Sequence, residues 1–189
     1  VALLDALGVS RAHLVGTSYG AEIAMICAIR HPERVNSLVL IDGVSEVGPV
    51  LRAAVESWKR AATVDPVTFY RSLIPWNYSD RFIAEYGDTL REREAKIAQL
   101  PAEYFDSFAR LCDAFLNLDC TDGLERISCP TRVVVAEQDI LKPRPYSEII
   151  ADRIAGASLE VIPDAGHAVV IERPGEIARV VRDFVGGLG

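Results

Sequence analysis

One short stretch restricts this chain more than any other: Gly16-Thr17-Ser18-Tyr19-Gly20, with the mostly apolar residues 12–15 before it and residues 21–30, which include Ile23, Met25, Ile26 and Ile29, after it. A serine flanked by small residues where a strand passes into a helix makes a sharp turn that lifts its hydroxyl above the sheet. Side chains at positions 16 and 20 are expected to collide with the neighbouring backbone, which accounts for both glycines. Residues 21–30 are apolar on nearly every side, so their helix is expected to be deeply buried, and His31-Pro32 ends it. Residues 35–41 form a second apolar strand, turned by Asp42-Gly43. Strand, helix and strand in this order call for a parallel pair joined by a crossover helix.

The pattern then changes. From about Pro49 to Leu118 it is mainly helical and richer in charges and aromatics. Tyr104, Phe108, Leu111, Cys112 and Phe115 fall on one stripe of an amphipathic helix, and Ile74-Pro75-Trp76-Asn77-Tyr78 is an aromatic stretch broken by proline. Strand signals return at residues 131–136 and 159–162, with a helix over 147–154 between them. An amphipathic helix over 174–185, with proline near its first turn, closes the chain. Residues 1–7 form the last turns of a helix stopped by Gly8. The order predicts an α/β core from residues 1–48 and 119–189, a parallel sheet flanked by helices, with a helical cap inserted over 49–118.

A serine hydroxyl is a weak nucleophile without a base. His13 lies inside the strand before the serine and is expected to be structural. His31 sits at a helix end, where it can meet the last carbonyls. His167, in Asp164-Ala165-Gly166-His167, leaves the last strand at its carboxyl end, where ligands and catalytic groups gather in parallel sheets. The base needs an orienting carboxylate. Asp139 follows the strand at 131–136. Asp42, Asp164 and Glu137 are its competitors, and Asp164 is too close to His167 in sequence to serve comfortably. The order Ser18, Asp139, His167 is that of a nucleophile, acid and base on such a sheet. The backbone N–H of Tyr19, at a helix N-terminus, points where an oxyanion would form.

Composition narrows the partners. Among 189 residues, half are hydrophobic and the formal net charge is −7, which argues against nucleic acid or an anionic membrane as the main partner. No apolar run is long enough to span a bilayer, and the start lacks the basic and apolar regions of a signal peptide. Cys27, Cys112, Cys120 and Cys129 have no metal-site spacing. They are expected to be reduced structural thiols, which points to a cytoplasmic protein without a bound metal. The chain opens at Val1 and its single methionine is Met25, so a fragment or processed product is expected.

The segments Val15-Gly16-Thr17-Ser18-Tyr19-Gly20, Cys129-Pro130-Thr131-Arg132-Val133-Val134-Val135-Ala136-Glu137-Gln138-Asp139 and Asp164-Ala165-Gly166-His167 resemble the α/β-hydrolase fold family, and within it the enol-lactonase and carboxylesterase-like branch. Ala136 stands where that family more often has glycine. The resemblance implies a Ser18–His167–Asp139 triad that cleaves a small-molecule ester or lactone through an acyl-enzyme, with no cofactor. It implies a cap that walls the substrate pocket, with Trp76, Tyr78 and Phe82 as expected pocket residues. A serine at this turn weighs against dehalogenase or epoxide hydrolase chemistry. Acyl transfer by the same triad, and a non-catalytic ligand-binding member, are the alternatives. Four strands and a His-Gly oxyanion loop that precede this region in the family have no counterpart here. The strand leading to Ser18 is therefore expected to expose an edge. The second oxyanion donor is expected to be missing, a loss of about 10²–10³ in rate.

Overall fold

Four parallel strands lie side by side in chain order: β1 (Ala12–Thr17), β2 (Val35–Ile41), β3 (Thr131–Ala136) and β4 (Ser158–Ile162). The computed structural model describes residues 1–188. A short helix α1 (Ala2–Ala6) precedes β1, and Gly8 takes the left-handed φ of 65° that releases the chain from it. The crossovers are α2 (Tyr19–Arg30) between β1 and β2, and α7 (Arg144–Arg153) between β3 and β4. After β4 come α8 (Val169–Glu172) and α9 (Pro174–Gly186).

Both faces of the sheet are covered. On one, Leu38, Leu40 and Val133 pack against Met25 and Ala28 of α2 and Ile150 of α7. On the other, Val39, Ile41, Val134 and Ala136 meet Val169, Ile177 and Val180. A strand buried on both faces has no polar side to show, which is why β2 and β3 carry the apolar runs Leu38-Val39-Leu40-Ile41 and Val133-Val134-Val135-Ala136. β1 is the edge strand of the described sheet, and Val15 is half exposed there.

The long excursion between β2 and β3 holds α3 (Pro49–Ala62), α4 (Pro66–Asn77), α5 (Asp80–Ile97) and α6 (Ala102–Leu116). Its two feet are stitched together by an antiparallel bridge between Glu46 and Asp119 and by the Cys120 N–H donating to the Ser45 carbonyl at 2.8 Å. The helices carry their own core of Leu51, Val55, Trp58, Phe69, Phe105 and Phe115. Phe69 anchors it edge-to-face against Phe105 and Phe108, at 5.8 and 4.6 Å between ring centres. Such pairs contribute roughly 0.5–1.5 kcal/mol beyond area burial. Local signals start these helices: Asp65 caps α4 by accepting from the Thr68 N–H at 2.6 Å, and Ser79 caps α5 by accepting from that of Phe82 at 3.2 Å. Pro75 sits in the last turn of α4, and the helix stops two residues later.

Two readings of periodicity need correction. α2 is not buried all round. Ala21, Ala24, Met25 and Ala28 face inward, while Ile23 is 58% exposed. A chain of uniform hydrophobicity leaves the helix orientation open, and here the small residues take the sheet face. In α6, Phe105 rather than Tyr104 turns inward, and Leu111 is exposed. The inward stripe is set by the contacts of Phe105, Cys112 and Phe115 with the core of the helical excursion.

Candidate active site

The turn at Ser18 follows from two local facts. Ser18 has φ 49° and ψ −120°, a left-handed value that an ordinary residue adopts only when its surroundings enforce it. The enforcement is visible in backbone hydrogen bonds. The Ser18 N–H donates to the Ile41 carbonyl at 2.8 Å, and the Ser18 carbonyl accepts from the Ala21 N–H at 2.9 Å. Gly16 makes the approach possible, since a Cβ there would lie 2.2 Å from the Gly20 carbonyl oxygen and 2.6 Å from the Ala21 nitrogen. Gly20 corrects the expectation: nothing lies within 4 Å of where its Cβ would be. Only the first glycine is required by space.

The loops after β3 and β4 bring two side chains to this turn. His167 Nε2 lies 2.8 Å from Ser18 Oγ, and its Nδ1 lies 2.7 Å from Asp139 Oδ2. Asp139 Oδ1 accepts from the N–H groups of Leu141 and Lys142 at 2.9 and 2.8 Å, so both oxygens of the carboxylate are engaged. His167 and Asp139 are buried. The other sequence candidates for the acid are placed elsewhere. Glu137 accepts from the Asp164 N–H at 3.1 Å, and the Asp164 side chain lies near Arg173, 3.9 Å away. His13 bonds to Ser37 Oγ at 2.7 Å within the sheet, and His31 lies 3.7 Å from Glu33.

Asp42 is buried beside this relay. Its Oδ1 accepts from the Ala136 N–H at 2.8 Å, and its Oδ2 has no partner among the described residues. Burial first, and then the charge of Asp139, push the Asp42 carboxyl well above the usual carboxylate range. A carboxyl raised in the folded state contributes stability below its unfolded value near 4, and loses it as pH climbs through the folded value. Asp42→Asn is therefore expected to gain stability relative to the parent protein as pH rises, in urea unfolding measured from about pH 4 to about pH 9. Asparagine also tolerates the φ of 49° found there. Asp42, Asp139 and His167 bring possible metal-ligand atoms within 4.8 Å of one another. Two of these residues, His167 and Asp139, already bond each other in the relay.

The histidine loop is fastened to the helical excursion. Glu172, buried, accepts from Ser79 N at 2.9 Å, from Ser79 Oγ at 2.5 Å and from Gly166 N at 3.2 Å. The Ala168 N–H donates to the Asn77 carbonyl at 2.7 Å.

Two cavities open on Ser18. One, of about 180 Å³, is lined by Tyr19, Leu51, Val55, Trp58 and Phe115 among others. The second, of about 270 Å³, also touches His167, Tyr70, Ile74 and Tyr78. Of the three aromatics expected at the pocket, Tyr78 lines it. Trp76 and Phe82 line neither cavity. Trp76 packs edge-to-face on Trp58, at 6.5 Å, and Phe82 is stacked between Tyr78 and Tyr86. An aromatic cluster in sequence does not say which ring faces the cavity, and here helix packing takes two of them.

Sequence reasoning missed Glu22 and Lys142, which meet at Ser18. Lys142 Nζ lies 2.9 Å from Glu22 Oε1 and 3.2 Å from Ser18 Oγ. A signal was present for each. Glu22 is the one charged residue within the apolar run 21–29, and Lys142 stands three residues after Asp139 in the same loop.

The Ser18 turn, Asp139 and His167 thus follow the carboxyl ends of β1, β3 and β4, with a helical excursion folded over them, which is the plan of the α/β hydrolases. The chain belongs to that family: the model described as the alpha/beta hydrolase family matches residues 1–180. It is 31% identical over 186 residues to RutD of Azorhizobium caulinodans, a protein named for carbamate hydrolysis, across 97% of this chain and 69% of the relative. It is 30% identical over 193 residues to 2-hydroxymuconate semialdehyde hydrolase of Pseudomonas sp. strain CF600, across 98% and 65% of the two chains. The crystal structure of MGS-M2, an alpha/beta hydrolase enzyme from a Medee basin deep-sea metagenome library, matches with a TM-score of 0.94 at 29% identity, over 98% of this chain and 68% of that one.

Proposed function

We propose that the protein is a serine-dependent hydrolase of a small carboxylic ester or lactone. The observation that carries this reading is the unbroken line from Ser18 Oγ to His167 Nε2 at 2.8 Å and from His167 Nδ1 to Asp139 Oδ2 at 2.7 Å. Ser18 Oγ attacks the substrate carbonyl carbon while its proton passes to His167 Nε2. Asp139 holds the imidazole with Nδ1 protonated and stabilises the imidazolium. The Tyr19 N–H donates to the oxyanion. Collapse breaks the bond to the leaving oxygen, which takes the proton from His167. Water, deprotonated by His167, then releases the acid and frees Ser18. Tyr78 and the apolar walls of the two cavities hold the acyl and alcohol parts.

Cys112 lines the same cavity as Ser18, but burial raises its thiol to about 11, so it stays protonated and is a poor nucleophile at neutral pH. The four free cysteines favour a reducing, cytoplasmic setting, and no helix among the described residues is long and apolar enough to cross a membrane.

Rapid mixing with excess p-nitrophenyl acetate tests the proposal. The expected record is a burst of p-nitrophenol of one equivalent per active chain, followed by slower turnover. Added methanol should speed the slow phase and yield methyl acetate if the acyl group can also pass to an alcohol. Ester turnover that survives Ser18→Ala at the parent rate would overturn the assignment.

A further inference from the structure

Lys142 is the charged side chain that the mechanism above leaves without a task. It is 2% exposed and lines the cavity that contains Ser18, among otherwise apolar walls. Its Nζ bonds Glu22 Oε1 at 2.9 Å and Ser18 Oγ at 3.2 Å, and lies 4.9 Å from the centre of the Phe115 ring. An ammonium has three N–H donors, and the described residues engage two of them.

Its counter-charge is diluted. Glu22 Oε1 is shared between Lys142 and the Val44 N–H, which donates to it at 2.8 Å. Glu22 Oε2 has no hydrogen-bond partner among the described residues. Burial raises the Glu22 carboxyl above its ordinary value, against the pull of Lys142. Keeping an ammonium out of water is expensive unless its partners are complete. A purely structural ion pair between α2 and the loop after β3 would need only the contact with Glu22. The reach past Glu22 to the attacking oxygen puts the positive charge where substrate atoms next to the scissile carbonyl must lie, because the carbonyl carbon approaches Oγ to about 3–3.5 Å before reaction.

We propose that Lys142 recognises an anionic group on the acyl part of the substrate, so that the preferred substrates are esters or lactones carrying a carboxylate close to the scissile carbonyl. The proposal rests on Ser18 being the nucleophile. A carboxylate in this position accepts a charge-assisted bond from the unused N–H inside an apolar enclosure, where such bonds are strongest. A neutral acyl chain of the same length leaves that donor desolvated and unpaired, which is how a polar site rejects an apolar analogue.

The test uses the labelling of Ser18 by a fluorophosphonate probe, followed by peptide mass mapping on the full chain, so that it does not depend on finding a good substrate. Glutarate should slow labelling of the parent protein in a saturable way, and valeramide, similar in length and uncharged, should not. In Lys142→Met the concentration of glutarate needed for protection should rise about tenfold or more, and Lys142→Arg should recover part of it. Turnover gives the same comparison: the ratio of kcat/KM for mono-p-nitrophenyl glutarate over p-nitrophenyl valerate should fall by about tenfold or more in Lys142→Met. If Lys142→Met does not fold, the parent protein decides through glutarate against valeramide. Equal protection by the two, or a glutarate requirement unchanged in folded Lys142→Met, overturns this proposal while leaving the nucleophile in place. Absence of any label on Ser18 removes the hydrolase reading and this proposal together.

Discussion

Replacing Ser18 by alanine is expected to lower kcat/KM for p-nitrophenyl esters by on the order of 10⁴–10⁶, with the fold intact. The loss is large because His167 and Asp139 have no other task in the reaction once the oxygen between His167 and the substrate is gone. What remains is the contribution of binding and of the oxyanion donor at Tyr19. Stability should move little. Alanine must adopt the same left-handed φ of 49° as the serine it replaces, so the strain in the turn is unchanged. The hydrogen bonds that Oγ makes with His167 and Lys142 are lost, but both partners keep another, Asp139 in one case and Glu22 in the other. Steady-state rates together with a thermal melt read both halves of the prediction. A loss of rate accompanied by a fall in Tm of more than about 5 °C would mean that the turn, rather than the oxygen, had been damaged.

The second large effect falls on stability. Gly16→Ala places a methyl group 2.2 Å from the Gly20 carbonyl oxygen, 2.5 Å from the Gly20 carbonyl carbon and 2.6 Å from the Ala21 nitrogen. All three are backbone atoms in the first turn of α2, so no side-chain rotation relieves the clash. The turn must open or the start of the helix must shift, and destabilisation of at least about 3 kcal/mol is expected, at the upper end for single overpacking substitutions. Activity should fall with it, because the same turn sets the position of Ser18 Oγ. Gly20→Ala is the control. Space is free there and the position is helical, so alanine is expected to stabilise by about 0.5–1 kcal/mol through its helix propensity. Urea unfolding of the two variants should therefore give changes of opposite sign at neighbouring glycines of one motif.

This contrast shows what could be read from the sequence and what could not. The apolar runs that became β2 and β3, and the glycine-flanked serine between a strand and a helix, declared themselves because strands buried on both faces and sharp turns demand particular residue types. His167 and Asp139 were legible as loop residues placed just beyond strand ends, and the parallel order of the sheet brings those ends to one place. The roles of the two glycines looked alike in sequence, since a motif does not record which Cβ would meet backbone. The packing of the helical excursion was equally hidden. Phe105 rather than Tyr104 faces inward, and Tyr78 rather than Trp76 or Phe82 meets the cavity, because these choices are made by contacts between helices distant in sequence. Glu22 and Lys142, 120 positions apart, could not be joined by any local pattern. Each looked like an isolated charge, and only the fold makes them a pair beside Ser18.

Whether Ser18 is the nucleophile is decided by the site of covalent modification by a fluorophosphonate probe in the folded protein, read by intact mass and then by peptide mapping. A single adduct is expected, on Ser18, that forms far more slowly in His167→Ala and is absent after denaturation before labelling. An adduct on another residue, or none in a protein shown to be folded, would contradict it.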